Sequence, residues 1–306
     1  MYIETIKREA YHSQDVLLAK PHVVALGAFD GLHKGHMQLV HSAVSRAAEA
    51  GISSCVFTFP QNPSFPPYIT SDDQRIKLLK NAGIDLVVMR SFTEEFKRLS
   101  PREFFERYLI KRLNARMVVV GFNYRFGHKG EGSDETLREL CKSYGIGITV
   151  IPPVLYSDKP ISSTRIRRAV EAGDFTSAAD MLGRDFSVDG RVVKGQGIGA
   201  LLGFPTANFE LDKDRIMPPK GVYATKTEVD GDIYMSVTNL GGKPTIKKGI
   251  ELIETHILNF GKSLYGKTIE VSFIKRLRDI QTFSSKEELS ARLEQDVQSV
   301  KEFLDK

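Results

Sequence analysis

GAFDGLHKGH, residues Gly27 to His36, packs three glycines, two histidines and an aspartate into ten positions where a strand hands over to a helix. Upstream, Val23 to Leu26 is an apolar run of strand length, and downstream Met37, Val40, Val44, Ala47 and Ala48 recur at helical spacing. The glycines therefore fall in a strand-to-helix turn. The first amides of a helix have no partner within it, and the helix dipole favours negative charge there, so an anion is welcome at such a turn. His33 and His36 add imidazole donors. The plainer reading is a tight turn with two surface histidines, and the Gly-x-Phe-Asp-Gly ahead of HxGH weighs against it.

A chain of 306 residues exceeds one typical core and suggests about two domains. Its hydrophobic content of 41% and charged content of 26% are those of a soluble globular protein. No apolar run approaches the ~20 residues that span a bilayer, and MYIETIKREA has no apolar signal core, so a cytoplasmic location without membrane partners is expected. Cys55 and Cys141 match no metal spacing and read as buried free thiols. The net charge of +5 is spread along the chain rather than gathered in a tract. Small polyanions account for it as well as nucleic acid, and no nucleic-acid partner is expected.

From residue 22 to about 151, apolar runs alternate with helical segments: Val23 to Leu26, Cys55 to Phe59, Leu86 to Met89, Met117 to Val120 and Ile148 to Ile151. Five parallel strands with crossover helices satisfy that order, and unbroken apolar runs fit a sheet covered on both faces. In such sheets ligands bind beyond the carboxyl ends of the strands, which is where the opening motif stands. Residues 162 to 182 read as two short helices punctuated by Gly173 and Asp174. Beyond Gly183 come strand runs at Phe186 to Val193, Val222 to Glu228, Ile233 to Leu240, Glu254 to Phe260 and Thr268 to Ile274, an antiparallel barrel or sandwich. A last helix opens with a capping-box pattern, Ser285 with Glu288, and carries one apolar stripe of Leu289, Leu293, Val297, Val300 and Leu304, read as packing on the barrel.

Further clusters carry chemistry. GFNYRFG, Gly121 to Gly127, follows the fourth strand; Asn123 suits hydrogen bonding to a base or ribose and Tyr124 and Phe126 suit stacking, while a loop with buried aromatics is the plain alternative. SSTRIR, Ser162 to Arg167, sets hydroxyls at a helix start with Arg167 one turn in, either a phosphate site or a simple cap. FTFPQNPS, Phe57 to Ser64, ends the second strand in a proline-rich loop. In GFPTAN, Gly203 to Asn208, Thr206 and Asn208 project from one face of an extended segment, offering the hard oxygens that magnesium prefers. PPKGVYA and NLGGKPT, Pro218 to Ala224 and Asn239 to Thr245, read as loops feeding strands. Glu254, at the head of ETHILNF, is an acid where strands disfavour one, and it suits a general base.

These seven motifs (GAFDGLHKGH, GFNYRFG, SSTRIR, GFPTAN, PPKGVYA, NLGGKPT and ETHILNF) stand in the order seen in the bacterial bifunctional riboflavin kinase/FAD synthetases, and the chain resembles that family over nearly its whole length. The resemblance implies an α/β plus β architecture. Residues 1–183 would be a Rossmann-like HxGH nucleotidyltransferase domain with a parallel sheet, an FMN adenylyltransferase. Residues 184–306 would be a six-stranded antiparallel riboflavin kinase barrel closed by the C-terminal helix. It further implies ATP and phosphate contacts from Gly27, Phe29, Asp30, Gly31, His33, Gly35, His36, Asn123, Ser163, Thr164 and Arg167, with His33, His36 and Arg167 acting in catalysis. In the second half it implies nucleotide contacts from Gly203, Pro205, Thr206 and Asn208, Mg2+ on Thr206 and Asn208, and Glu254 as catalytic base. The expected substrates are riboflavin, FMN and ATP, and the expected assembly a monomer or weak homo-oligomer.

Two positions depart from the family pattern. Asn62 stands where a histidine is common, and Ala200 follows Gly199 where an arginine is common. Three rival readings stay open at this level: a monofunctional adenylyltransferase with a weak kinase half, another HxGH nucleotidyltransferase, and a non-catalytic flavin- or RNA-binding regulator.

Overall fold

The structure is a computed structural model that describes residues 20–61, 66–195, 197–212, 214–241 and 252–302. Asn62, residues 242–245 of the NLGGKPT stretch and Leu304 of the helical stripe lie outside these. The described chain forms two compact units, one of residues up to 61 with Asp72–Ser162, the other of Pro66–Ser71 with the residues from Ser163 onward.

The first unit runs β1 (His22–Leu26), α1 (Lys34–Ala50), β2 (Ser53–Thr58), α2 (Asp72–Asn81), β3 (Leu86–Met89), α3 (Glu94–Lys97), α4 (Pro101–Phe104) with a π-helical continuation to Arg112, β4 (Ala115–Gly121), α5 (Asp134–Ser143), β5 (Gly147–Ile151) and a short ribbon β6–β7 (Leu155–Tyr156, Lys159–Pro160). The five main strands are parallel in the order β3-β2-β1-β4-β5. Alternate residues feed two cores: Val24, Leu26, Cys55, Phe57, Val118 and Val120 on one face, Val23, Ala25, Val56 and Val119 on the other. That double burial is why the runs are apolar at consecutive positions. Each fully buried aliphatic contributes roughly 1.5–3 kcal/mol. β2 starts two residues ahead of the expected run because its polar leading end is satisfied internally. The amide and hydroxyl of Ser54 both donate to the Asp85 carboxylate at 2.8 Å. Both cysteines are buried free thiols, and burial raises the Cys141 thiol to about 11.

The second unit holds α6 (Ser163–Glu171), α7 (Phe175–Leu182), β8 (Phe186–Val193), α8 (Ile198–Leu201), β9 (Ala207–Glu210), β10 (Gly221–Val229), β11 (Asp232–Leu240), β12 (Leu252–Ile257), β13 (Thr268–Arg278) and α9 (Lys286–Lys301). Gly173 at φ +73° ends α6, and the Asp174 carboxylate caps α7 by accepting from the Ser177 amide. Six strands close into an antiparallel barrel in the order β10-β11-β12-β9-β8-β13. The strand without an expected run of its own is β9, four residues inside the GFPTAN region, too short to show a period. The barrel interior combines Tyr223, Phe186, Phe209 and Phe273 with a hydroxyl ladder, in which Thr225 bonds to Ser236 and Thr238 at 2.7 Å and Thr238 to Thr255 at 3.0 Å.

Phe175 of α7 stacks on Phe273 at 5.5 Å, so the α6–α7 pair packs with the barrel. Pro66–Ser71 joins it too: Tyr68 pairs with Arg215, and the Ser71 hydroxyl donates to Asp189, which the buried Arg215 also holds at 3.0 Å. On the outer face, Val300 and Val297 of α9 cover Val222, Ala224, Val237 and Leu258. The capping box is displaced by one residue. Ser285 accepts from the Glu288 amide, but the Glu288 carboxylate returns to the amide and hydroxyl of Ser284, at 2.9 and 2.7 Å.

Candidate active sites

In the first unit, β1 continues into β2 and β3 on one side while β4 and β5 lie on the other, so the chain reverses its order between β1 and β4. The two loops of interest leave the carboxyl ends of those neighbouring strands, where open α/β sheets bind ligands. Gly27 to His36 is not a surface turn. Phe29 and Leu32 are fully buried and hold φ of +53° and +40°, with Gly31 between them at +81°. The strain of two non-glycine residues in that region is held by packing and by a clamp on the Ala28 carbonyl. That oxygen accepts from Thr58 Oγ1 at 2.9 Å and from Arg75 Nη1 at 2.8 Å. Asp30 is buried in the same turn.

His33 is the N-cap of α1, and its Nδ1 accepts from the His36 amide at 3.2 Å. The neutral tautomer of His33 therefore carries its proton on Nε2. The two imidazoles stack at 3.6 Å and 14°, with Phe29 5.3 Å from His36. Gly35 permits the stack, since a Cβ there would lie 3.1 Å from the His33 ring. Desolvation, then the neighbouring His33, then the Arg75 guanidinium hold His36 well below the usual histidine range. His36 is thus neutral at pH 7, and an anion meets it as a hydrogen-bonding dipole rather than a cation.

Asn123 is exposed at the mouth of β4. Tyr124 and Phe126 do not offer open faces: they stack on each other at 5.7 Å, Phe126 is buried in the core, and Tyr124 packs against it. Of the two readings of that loop, buried aromatics hold for this pair. Sequence reasoning did not single out Arg75, which in DDQRIKLL looks like any polar residue on a surface helix. It is buried, and its Nη2 bonds to the Phe59 carbonyl at 2.8 Å and pairs with Asp72, so it ties the opening turn to the end of β2.

Ser163 and Thr164 begin α6, as the motif requires, in the second unit. Arg167 Nε donates to the Pro67 carbonyl at 2.6 Å.

The second unit brings the remaining candidates into one register. Asn208 on β9 pairs with Glu254 on β12, Glu254 with Asn239 on β11, Asn239 with Val222 on β10, and Val222 with Arg278 on β13. Directly paired residues share a face, and this row stands on the outer face because its neighbours Thr238 and Thr255 point inward. Thr206 Oγ1 accepts from Asn208 Nδ2 at 3.5 Å. Among the described residues, the Asn208 and Asn239 side-chain carbonyls are buried and have no hydrogen-bond partner. A Cβ on Gly195 would come within 2.3 Å of the Asn208 amide, so a larger residue there would push the Asn208 side chain aside. His256 bonds through Nδ1 to the Pro205 carbonyl at 2.8 Å, and Phe204 meets its ring edge-on at 5.5 Å, which anchors the GFPTAN segment. A cavity of about 800 Å³ lies over the row, lined by Thr206, Asn239, Glu254 and His256 on the barrel and by Phe283, Leu289 and Leu293 around α9. Leu289 and Leu293 of the helical stripe thus wall a cavity, while Val297 and Val300 make the core contact. Asp296 of α9, buried, holds Arg278 through bonds of 2.9 and 2.7 Å and fixes the helix to the barrel. Ala200 is exposed on α8, between the cavity-lining Gly199 and Leu202.

A parallel-sheet unit with a histidine-capped anion turn, followed by a barrel with a hydroxyl, amide and carboxylate row over a cavity, defines a two-site, nucleotide-dependent transferase. Comparison with known proteins narrows the class. The FAD synthetase family matches residues 17–165 and the riboflavin kinase family residues 182–304. The bifunctional riboflavin kinase/FMN adenylyltransferase of Bacillus subtilis is 36% identical over 287 residues, covering 90% of each chain. That of Escherichia coli K12 is 32% identical, covering 92% of each. A crystal structure described as a macrolide-efflux protein from Streptococcus pneumoniae is 32% identical with a TM-score of 0.82, covering 94% of this chain and 96% of that one. The chain belongs to the bifunctional riboflavin kinase/FMN adenylyltransferase family. Among the described residues, no helix is long and apolar enough to cross a membrane.

Proposed function

We propose that this chain makes FMN from riboflavin and then FAD from FMN, each step consuming one ATP at its own site. The observation that carries the kinase half is the cavity lined by Thr206, Glu254 and Asn239, with Asn208 paired to Glu254 on the next strand. There the riboflavin 5′-hydroxyl attacks the γ-phosphorus of ATP, its proton passes to the Glu254 carboxylate, and ADP leaves. General-base help of this kind is worth ~10²- to 10⁴-fold.

The orphaned Asn208 carbonyl beside Thr206 Oγ1 fits a hard cation, and Mg2+ would be held there. When bound, the ion neutralises phosphate charge. Thr206 and Asn208 are kept in place by the Pro205–His256 bond and by the glycine at 195.

In the first unit, the FMN phosphate attacks the α-phosphorus of a second ATP and pyrophosphate leaves. The nucleophile is already an anion, so positioning and charge neutralisation carry the step. Gly27, Gly31 and Gly35 bring backbone close to the triphosphate, Phe29 and Asp30 set the turn, and His33 and His36 supply hydrogen bonds. Asn123 contacts the nucleoside; for Ser163, Thr164 and Arg167, in the second unit, we keep the phosphate-binding role that the family pattern implies. In the kinase half, Gly203 and Pro205 shape the turn that meets the second nucleotide. We assign the adenylyltransferase to residues 1–183 and the kinase to 184–306, acting as a cytoplasmic monomer or weak homo-oligomer without nucleic-acid or membrane partners.

Isotope tracing tests the scheme. With riboflavin and ATP labelled at the γ-phosphorus, label appears in FMN; with ATP labelled at the α-phosphorus, it appears in FAD and never in FMN. Label from the α-position in FMN, or none in either flavin, contradicts it.

A further inference from the structure

We propose that Asn239 is a substrate-binding residue of the kinase site: its side-chain amide holds the ribityl chain of riboflavin beside Glu254. The inference rests on the kinase reading above and gives a binding role to a residue to which neither the motifs nor the catalytic scheme had assigned one.

Asn208 and Asn239 flank Glu254 on the two adjacent strands, each about 4.8 Å away across the ladder. The Asn208 side, with Thr206, offers the hard oxygens suited to the cation and the phosphates of ATP. In-line transfer sets the hydroxyl oxygen directly against the γ-phosphorus, with the base, Glu254, within hydrogen-bond reach of that hydroxyl. The acceptor therefore enters from the opposite flank, where Asn239 stands. Val222 and then Arg278 continue the row, and Ile280, Phe283, Leu289 and Leu293 also line the cavity. Amide, hydroxyl and carboxylate groups together with apolar side chains in one cavity suit a polyol chain attached to a flat aromatic ring system.

The Asn239 carbonyl makes the case specific. It is shut off from solvent and, among the described residues, has no hydrogen-bond partner, although an orphaned buried acceptor costs ~1–3 kcal/mol. A carbonyl and an NH2 on one side chain can accept from one ribityl hydroxyl and donate to the next. Since the carbonyl has no partner in the barrel to lose, Asn239→Ala should leave thermal stability unchanged or raise it.

Equilibrium binding tests the proposal, with the full chain, ADP and Mg2+, and two probes read by quenching of flavin fluorescence. Riboflavin carries the ribityl hydroxyls; lumiflavin has the same ring system with a methyl in their place. Asn239→Ala is expected to weaken riboflavin about tenfold, as for one to two hydrogen bonds, and to shift lumiflavin less than twofold. Asn239→Ser, which keeps a shorter polar group, should fall between. Unchanged riboflavin binding in both variants overturns the assignment, and so does an equal loss for both flavins, which would make Asn239 part of the barrel frame. If the wild-type chain itself binds no riboflavin, the kinase reading fails rather than this inference.

Discussion

Glu254→Gln is expected to lose riboflavin phosphorylation by ~10²- to 10⁴-fold while FAD formation from supplied FMN stays at the wild-type rate. The substitution keeps the size of the side chain and its place between Asn208 and Asn239, removing only the ability to take a proton. Its two cross-strand neighbours are neutral amides, and Arg278, at the far end of the row, is held by Asp296. Initial rates with riboflavin and with FMN as separate substrates check this. A kinase rate within a few-fold of wild type would remove Glu254 from the role of base.

His36→Ala produces the opposite pattern: FAD synthesis falls ~10²- to 10³-fold, the scale for losing one preorganised donor to a developing charge, and riboflavin phosphorylation is untouched. The donor is preorganised because its ring is locked against His33 at 3.6 Å and its neighbour Arg75 is pinned to the Ala28 carbonyl. The depressed His36 adds a stability signature. Between its folded value and the ordinary 6.5, the unfolded chain binds more protons than the folded one, so stability rises with pH through that window. The Ala variant should lose part of that slope in melts taken across the acid range. Full FAD synthesis by the variant would refute the role.

Much of this was legible in residue order, and what was not has physical reasons. The parallel sheet announced itself because strands buried on both faces must be apolar at every position, as in Val23 to Leu26. The HxGH stretch was legible as a strand-to-helix turn, but its histidine stack was not, because ring contacts follow from the N-cap geometry of His33. The four-residue β9 was hidden by its brevity, and its barrel place comes from pairing with β8 and β12. Thr225, Thr238 and Thr255 line the barrel interior because they satisfy one another there, which no hydropathy scale anticipates. Arg75 and the Arg278–Asp296 pair carry no local motif, and Asn239, at the head of NLGGKPT, read only as the start of a loop feeding a strand. Their significance appears only when strand register and helix packing bring distant segments together.

The central claim is that one chain carries both transfers. Its most direct test is to incubate the purified wild-type chain with riboflavin, ATP and Mg2+ and to resolve riboflavin, FMN and FAD over time. The account predicts that FMN rises first and FAD follows from it without any added enzyme. FAD appearing only when FMN is supplied, with riboflavin left unconverted, would contradict it.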